Sequence, residues 1–344
     1  MGSRKMKAAV CYAPGDIRLE QVPVGELAPD QVLVRVAFCG ICPSDFRVYD
    51  GRSSHKLPMI LGHEFSGWVE EIGPGVTRFG VGEPVVVDPA DKCYTQCPPC
   101  RRGLTNKCTG VQVGGGGDGF AEYRVAKEAR VYRLRPTTDL VAASLAEPLA
   151  CVMHGQHRAG VGLGSVVVVV GSGPIGLLHV TAAKSTGAKV IASEVQPARL
   201  AAAAELGADV TVDPTKRDLA EVIRQETGGW GANAIIVAVG NKAAIEGAVG
   251  SLAPQGTIVL FAGMYPNVPI SLDPNFIHYS EINVTGSSDY TDQDFFEAVA
   301  FIEDGTIDTR ALVSDILPLE RVVEGMEIVR SARKLKVVIQ ANQP

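Results

Sequence analysis

The sequence predicts an α/β protein with two domains, one β-rich and one built around a doubly wound parallel sheet. Two observations predict this fold class. Short apolar runs separated by many glycines and prolines fill residues 6–148, whereas from Val166 onward strand-like runs alternate with helix-like segments. The chain length of 344 residues also fits about two domains.

The first 148 residues have the pattern of antiparallel β structure. The runs 32–38 and 85–87 are short, apolar and bounded by glycine, proline or aspartate, as strands are. Residues that form turns are dense in one stretch, namely Gly62, Gly67, Gly73, Pro74, Gly75, Gly80 and Gly82. So many turns predict a sheet that folds back on itself.

The pattern after Val166 predicts a parallel sheet. Val166–Val170 is five consecutive valines, which is typical of a strand buried on both faces. Predicted helices over 174–186 and 197–206 alternate with predicted strands over Lys189–Ser193, 209–212, 234–239 and 257–262. This alternation requires right-handed crossovers and therefore a parallel, doubly wound sheet.

The end of the chain is predicted to return to the β-rich domain. An amphipathic helix over Asp292–Glu303 and a last strand over Lys336–Gln340 follow the parallel sheet, which already has enough strands. We therefore expect one domain from residues 1–148 and 286–344, and a second from residues 149–285.

Composition and charge exclude several classes of function. The net charge is −6, so no basic surface is expected for a nucleic acid or an anionic membrane. No apolar stretch is long enough to span a bilayer, and the N-terminus lacks the apolar core of a secretory signal. The eight cysteines are not needed as disulfides in so long a chain, which predicts a reduced, cytoplasmic setting.

A glycine-rich segment predicts a dinucleotide site. Gly171-Ser172-Gly173-Pro174-Ile175-Gly176 follows the all-valine strand and opens a helix, which is the context this motif requires. The glycines allow a tight turn and a close approach of the backbone to a pyrophosphate, and the helix N-terminus favours the phosphate charge. The alternative is a glycine-rich turn without a ligand.

Glu194 ends the second strand of this domain, where an acid commonly accepts hydrogen bonds from the adenosine ribose. A carboxylate there repels a 2′-phosphate, so NAD is favoured over NADP. Arg199 lies nearby and can alter this preference. The alternative is that Glu194 is a solvated strand end.

Two groups of residues have the chemistry of metal ligands. Cys93, Cys97, Cys100 and Cys108 lie within sixteen residues and can close a tetrahedral structural site. Cys42, His63, Glu64 and Glu147 lie far apart in the sequence. One thiolate, one imidazole and one or two carboxylates form a mixed site that leaves a position for water or substrate.

The chain resembles the zinc-containing medium-chain dehydrogenase/reductase family, in its polyol (sorbitol-like) and threonine dehydrogenase branch, almost end to end. The motifs that carry the resemblance are GICPSD (40–45), GHEFSGWVEEIGPGV (62–76), the cysteine lobe (93–108), GFAEY (119–123), AEPLAC (146–151), GSGPIG (171–176) and GSSDYT (286–291). The resemblance implies a GroES-like catalytic domain that carries the lobe, a Rossmann NAD-binding domain and a homodimer or homotetramer.

The resemblance also implies roles for single residues. Cys42, His63 and either Glu64 or Glu147 would bind a catalytic zinc ion, and Ser44 would relay the alcohol proton. The four lobe cysteines would bind a structural zinc ion. The NAD contacts would be Gly171, Gly173, Pro174, Ile175, Gly176, Glu194, Arg199, Val239, Gly263 and Ser287.

Three positions depart from the family pattern. The first gap of the lobe, from Cys93 to Cys97, is one residue longer than usual, so Cys93 is the least certain lobe ligand. Arg47 stands where many relatives have the histidine that ends the proton relay. Asp289 stands where sorbitol-like enzymes have an arginine, which indicates either an amino-bearing alcohol as substrate or a solvated acid.

These features together predict an enzyme that passes hydride from a secondary alcohol of the polyol, cyclitol or amino-polyol class to NAD, giving a ketone. A carboxylate ligand in place of a second thiolate makes the metal harder and suits vicinal hydroxyls. Three alternatives stay open: a threonine or 2,3-diol dehydrogenase of the same family, a zinc-free reductase, and a non-catalytic protein that binds NAD.

Overall fold

The computed structural model describes residues 4–52, 55–90, 92–93, 96–110 and 117–343. The chain divides into two compact units. The first unit is Met1–Pro148 with Thr291–Pro344, and the second is Leu149–Tyr290.

The strands are short in both units. In chain order they are β1 (Lys5–Ala13), β2 (Asp16–Pro23), β3 (Gln31–Gly40), β4 (Met59–Ile60), β5 (Glu64–Ile72), β6 (Pro84–Val87), β7 (Tyr123–Lys127), β8 (Val131–Arg133), β9 (Val166–Val170), β10 (Lys189–Ser193), β11 (Val210–Val212), β12 (Ala232–Val237), β13 (Leu252–Leu260), β14 (Asn283–Gly286), β15 (Val313–Pro318) and β16 (Lys336–Gln340).

The helices concentrate in the second unit and near the C-terminus. In chain order they are α1 (Asp45–Tyr49), α2 (Pro98–Arg101), α3 (Leu140–Ala143), α4 (Ala146–Ala159), α5 (Pro174–Ser185), α6 (Pro197–Glu205), α7 (Leu219–Glu226), α8 (Lys242–Val249), α9 (Pro274–Ser280), α10 (Asp292–Glu303) and α11 (Val322–Arg330).

The first unit is built around a mainly antiparallel sheet. Its strand order is β15-β16-β3-β5-β6-β8, with β7 also paired to β3, and only the β15–β16 pair is parallel among the described strands of this sheet. A smaller sheet has the order β2-β1-β4. Phe65 and Phe120 lie fully buried in the core that these strands enclose. The sheet brings β3, β5 and β16 side by side. The candidate metal ligands Cys42, His63 and Glu64 lie at or next to the end of β3 and the start of β5.

The second unit contains the predicted parallel sheet. Its order is β11-β10-β9-β12-β13-β14, and every pairing between neighbours is parallel. The order reverses between β9 and β12, which is the switch point of the doubly wound fold. Val168, Ile191, Ile235 and Ile258 fill the sheet interior, as strands covered on both faces require. The predicted fold class is therefore confirmed.

Some predicted elements need correction. The predicted strands over 234–239 and 257–262 both run too far, because residues after Val237 and Leu260 leave the sheet to form loops at its carboxyl edge. Both strands also begin earlier than predicted. The strands β14 and β15 were not predicted, since their short segments are mostly exposed and lack a long apolar run. The helix α11 was also missed, although its sequence is amphipathic and buries Val322, Gly325 and Met326.

None of the helices in the described part of the chain combines the length and the apolar composition that a bilayer crossing requires.

Candidate active site

Two separate segments of the first unit carry the candidate catalytic ligands. Cys42 follows the end of β3, and His63 and Glu64 stand at the start of β5. Gly62 precedes them with φ +84°, and a Cβ at this position would lie 2.8 Å from both Cys39 Sγ and Phe120. Only glycine fits this turn, because the backbone is left-handed and the space is filled.

The structure brings three side chains together. Ligand atoms of Cys42, His63 and Glu64 all lie within 4.8 Å of one another. Thiolate, imidazole and carboxylate groups are the donors that zinc takes in proteins, and three protein donors leave the fourth tetrahedral position open. The residues present therefore fit a catalytic zinc ion.

Asp45 holds these two segments together, although sequence reasoning did not select it. Its carboxylate accepts the backbone N–H of Cys42 at 3.0 Å and that of Gly62 at 3.3 Å, and lies 3.5 Å from His63 Nδ1. A carboxylate on the far nitrogen of a metal-binding histidine fixes the ring and its tautomer. The signal that could have found Asp45 is its place three residues after Cys42, at the start of α1.

Negative charge around His63 and burial of its ring have opposite effects on its pKa. Burial lowers the pKa of His63, but the carboxylate of Asp45 and the thiol of Cys42 outweigh it and raise that pKa well above its usual value. The imidazole therefore sits in a strongly negative environment, which favours a cation.

Ser44 borders the group of ligands. Its hydroxyl donates to Cys42 Sγ at 3.2 Å, and its oxygen lies 3.3 Å from His63 Nε2. The side chain is exposed, so a proton on its oxygen has a path to solvent. Arg47 lies further along the same short helix, α1.

Glu147 and Lys336 are two charged residues outside the group formed by Cys42, His63 and Glu64. Glu147 stands in the first turn of α4, and it is not part of the set of three within 4.8 Å. Lys336, which sequence reasoning missed, forms an ion pair with Glu64. Burial lowers the pKa of Lys336, but the negative charges of Glu64, Cys42 and Glu147 raise it above its usual value.

The four lobe cysteines form a second metal-binding group. Cys93, Cys97, Cys100 and Cys108 have their sulfur atoms within 4.8 Å of one another, including Cys93 despite its longer gap; residues 94 and 95 lie outside the described part of the lobe. The backbone N–H of Cys100 is the main cause that lowers the pKa of Cys97 to about 5. Such a thiolate set has no open position, as in structural zinc sites.

The glycine-rich turn of the second unit is built for close backbone packing. Gly171 has φ +94°, and a Cβ on Gly176 would lie only 1.8 Å from the carbonyl oxygen of Gly171. Gly173 caps α5, with Pro174 and Ile175 in the first turn where free N–H groups face outward. This helix start can therefore receive a pyrophosphate.

Glu194 is tied to this turn by backbone donors. Its carboxylate accepts the N–H groups of Ser172 at 2.9 Å, Val195 at 2.8 Å and Gln196 at 3.0 Å. Arg199 Nη1 lies 4.0 Å from the carboxylate and close to Gly173. The acid is thus fixed beside the glycine-rich turn, as a ribose contact would be.

The remaining predicted cofactor contacts lie on loops after the strands. Val239 packs against Gly171, where an added Cβ would be 3.2 Å away. Gly263 follows β13, and Ser287 follows β14 with a buried hydroxyl that has no hydrogen-bond partner among the described residues. A buried hydroxyl without a partner is costly, so a ligand group that fills this need would be favoured.

Asp289 lies on an exposed loop in the left-handed region, with φ +56°. The hydroxyl of Ser288 donates to its carboxylate at 3.4 Å. Exposure favours the interpretation of Asp289 as a solvated acid.

Comparison with known proteins identifies the family of the chain. Residues 28–136 match the family model of the alcohol dehydrogenase GroES-like domain, and residues 174–304 match that of the zinc-binding dehydrogenase domain. D-arabitol-phosphate dehydrogenase of Enterococcus avium is 32% identical over 99% of both chains. Sorbitol dehydrogenase of Bacillus subtilis (strain 168) is also 32% identical, over 99% of this chain and 98% of that protein.

A solved structure is similar over nearly the whole chain. It is a putative zinc-binding dehydrogenase from Sinorhizobium meliloti 1021 bound to NADP, with 31% identity, a TM-score of 0.92 and coverage of 98% of this chain and 100% of that one. Fold and metal-binding groups together define a zinc-binding dehydrogenase. The chain belongs to the zinc-containing medium-chain dehydrogenase/reductase family, in its polyol dehydrogenase branch.

Proposed function

We propose that this enzyme oxidises a secondary hydroxyl of a polyol or cyclitol to a ketone, with NAD as hydride acceptor. The observation that carries the proposal is the convergence of Cys42, His63 and Glu64 within 4.8 Å. A mixed donor set with an open position suits a substrate oxygen better than a closed structural site does. The relatives named as sorbitol and D-arabitol-phosphate dehydrogenases support a polyol.

The residues of the first unit would divide the work of proton removal. Zinc supplies the Lewis acidity that favours loss of the alcohol proton. Ser44 takes that proton and passes it to solvent, since its hydroxyl borders both Cys42 and His63. Asp45 keeps the His63 ring in place. With Arg47 in place of a relay histidine, water is the final acceptor.

We assign the direct carboxylate contact to Glu64 rather than Glu147. Glu64 belongs to the set of three ligand atoms, whereas Glu147 does not. Glu147 would then act from outside the metal contacts, through water or a substrate hydroxyl. A carboxylate ligand hardens the metal, which favours substrates with a second, vicinal hydroxyl.

The second unit would hold the cofactor through its glycine-rich turn. The pyrophosphate would meet the start of α5 at Gly171, Gly173 and Gly176, and Glu194 would accept the ribose hydroxyls. The carboxylate of Glu194 disfavours a 2′-phosphate, although Arg199 lies beside it. NAD is therefore expected to be used in preference to NADP.

An alcohol screen tests the proposal. NAD and NADP reduction would be followed by absorbance with polyols, inositols, threonine and matched deoxy and amino analogues. We expect turnover with NAD and vicinal polyols, loss of activity on zinc chelation, and recovery when zinc is returned. Full activity in zinc-free protein, or oxidation of no alcohol in the panel, would contradict it. A preference for amino analogues would support a role for Asp289 in binding an amino-bearing alcohol.

We also propose a homodimer or homotetramer in the cytoplasm. Family resemblance supports the assembly, and the eight cysteines, all outside disulfides, support a reducing compartment. Light scattering on the purified protein tests the first proposal, since a monomeric mass would exclude it. Cell fractionation tests the second.

A further inference from the structure

A buried ion pair lies directly behind the candidate catalytic metal site. Lys336, the first residue of β16, is 5% exposed, and Glu64, the first residue of β5, is 1% exposed. The Lys336 ammonium contacts Glu64 Oε2 and also donates to the carbonyl oxygen of Ile41 at 3.0 Å. Lysine is almost never buried without a partner, and the partner of Lys336 is the carboxylate of Glu64.

A single glycine in the sheet provides the space for the ion pair of Lys336 and Glu64. Gly40 on β3 is directly opposite Glu64 on β5 and Val338 on β16. A Cβ on Gly40 would lie 2.1 Å from Glu64 Oε2 and 3.0 Å from Lys336 Cε. The absence of a side chain at this single position therefore makes the space in which the carboxylate and the ammonium meet.

The charges that face Lys336 come from three segments. Glu64, Cys42 and Glu147 all contribute negative charge to its surroundings. Glu64 and Cys42 belong to the group that fits zinc, so the lysine is a fixed counter-charge beside the metal position. Because the ammonium occupies Oε2, Glu64 has Oε1 left to offer to an ion.

We propose that Lys336 is a positioning residue that restrains Glu64 to bind the catalytic metal through a single oxygen. This inference rests on the proposed function, in which Cys42, His63 and Glu64 bind that metal. Lys336 does not touch the substrate. It acts through the carboxylate of Glu64. The ammonium of Lys336 holds Oε2 of that carboxylate and balances its buried negative charge.

The test uses the whole enzyme with its catalytic zinc exchanged for Co²⁺, because the visible spectrum of Co²⁺ reports the metal's coordination in the absence of substrate. In Lys336→Met the released carboxylate can bind through both oxygens. We expect the d–d absorption to lose intensity and shift, as a higher coordination number requires. Lys336→Arg keeps the counter-charge and should restore the wild-type spectrum.

The same substitution is also made in the Glu64→Gln variant, so that the test stays decisive if Lys336→Met alone folds poorly. Glu64→Gln removes the partner's charge, so the double variant Glu64→Gln/Lys336→Met contains neither charge of the buried pair. If Lys336 acts through Glu64, adding Lys336→Met to Glu64→Gln leaves the Co²⁺ spectrum unchanged. An equal spectral change in both backgrounds would overturn the proposal, as would the absence of any change in the wild-type background.

A matched control separates this effect from a general loss of buried charge. Arg130 is also buried and pairs with Asp88 and Asp292, none of which is in the catalytic group. Arg130→Met should lower stability and leave the catalytic Co²⁺ spectrum unaltered. If wild-type protein binds no metal through Cys42 and His63, the proposed function itself fails. If metal binds and Lys336→Met is spectrally silent, only the role of Lys336 fails.

Discussion

Asp45 shows how one carboxylate organises the catalytic metal group. It accepts two backbone N–H groups from the segments of Cys42 and Gly62, and it faces the ring of His63. Each contact fixes a different part of the same site. The geometry of the candidate metal ligands therefore depends on Asp45, which is not one of them.

Replacement of Asp45 by asparagine should weaken zinc binding at the catalytic site and leave zinc binding by the four lobe cysteines unchanged. The amide keeps the size of the side chain but loses the negative charge that faces His63. We expect zinc affinity at this site to fall by about 10–100-fold, measured by competition with a chelator. The control is Asp50→Asn, since Asp50 pairs with Arg52 and Arg330 instead. Unchanged affinity in Asp45→Asn would remove its assigned role.

Ser44 offers a test of the proton path. In Ser44→Ala the hydroxyl beside Cys42 and His63 is absent, so the proton must leave directly to water. We expect kcat/KM for alcohol oxidation to fall by about 10²–10⁴-fold while zinc content stays constant. Ser44→Thr retains a hydroxyl and should retain most activity. Equal activities for the alanine variant and the wild type would exclude the relay.

His179 in α5 links stability to pH. It is fully buried, its Nδ1 lies 3.0 Å from Gln156 Nε2, and burial lowers its pKa to about 3. The folded protein therefore keeps His179 neutral, whereas in the unfolded chain the histidine binds a proton below its ordinary pKa of 6.5. Stability should then fall as pH drops below that value, by up to about 1.4 kcal/mol per pH unit.

The variant His179→Asn tests this linkage, because asparagine can meet Gln156 but does not titrate. Urea unfolding between neutral pH and about pH 5, a range that spans the ordinary histidine pKa, should show a shallower loss of stability in the variant than in the wild type. Parallel curves for the two proteins would show that another group causes the pH dependence.

The candidate metal ligands could be selected from the sequence for a chemical reason. Cysteine, histidine and glutamate in glycine-rich segments are unusual enough to indicate a metal. Lys336 was not predictable, because a single lysine at the start of a late strand has no local signal. Only the pairing of β16 with β3, and of β3 with β5, brings it to Glu64.

The cysteine lobe is an element with its own anchors. Lys92, next to Cys93, donates to Asp292 Oδ1 at 2.7 Å, and Thr105 Oγ1 accepts the backbone N–H of Asp292 at 3.1 Å. These contacts connect both ends of the lobe to the start of α10. A metal ion bound by the lobe cysteines would therefore stabilise a surface loop against a helix of the same unit.

Cys93→Ser should show whether the longer gap still closes the site. All four sulfur atoms lie within 4.8 Å, so we expect the wild type to hold about two zinc ions per chain and the variant about one. Metal analysis after dialysis gives this ratio, and Tm should fall with the lost ion. Cys11→Ser, in a buried cysteine outside both groups, is the control. Two retained ions would mean that Cys93 is not a ligand.

Element prediction succeeded where the pattern was strong. Val166–Val170, Lys189–Ser193, Asp292–Glu303 and Lys336–Gln340 have the predicted bounds, because each is a clear apolar or amphipathic run. β14 failed as a prediction because its four residues are mostly exposed and contain both asparagine and glycine. Its place at the sheet edge is determined by pairing with β13, which no local pattern reveals.

For the whole molecule, the two units carry different parts of the chemistry. The first holds both candidate zinc groups, and the second holds the glycine-rich turn and Glu194. This division follows from the sequence, since antiparallel and parallel patterns differ clearly. The choice of substrate does not follow, because no motif of the chain identifies the residues that contact its hydroxyls.

Anomalous diffraction at the zinc absorption edge, from crystals of the purified enzyme, would show directly whether a metal ion binds between Cys42, His63 and Glu64. We predict one peak in contact with Cys42, His63 and Glu64, and a second among the four lobe cysteines. A peak in the lobe alone, from protein that still oxidises alcohols at full rate, would contradict this prediction.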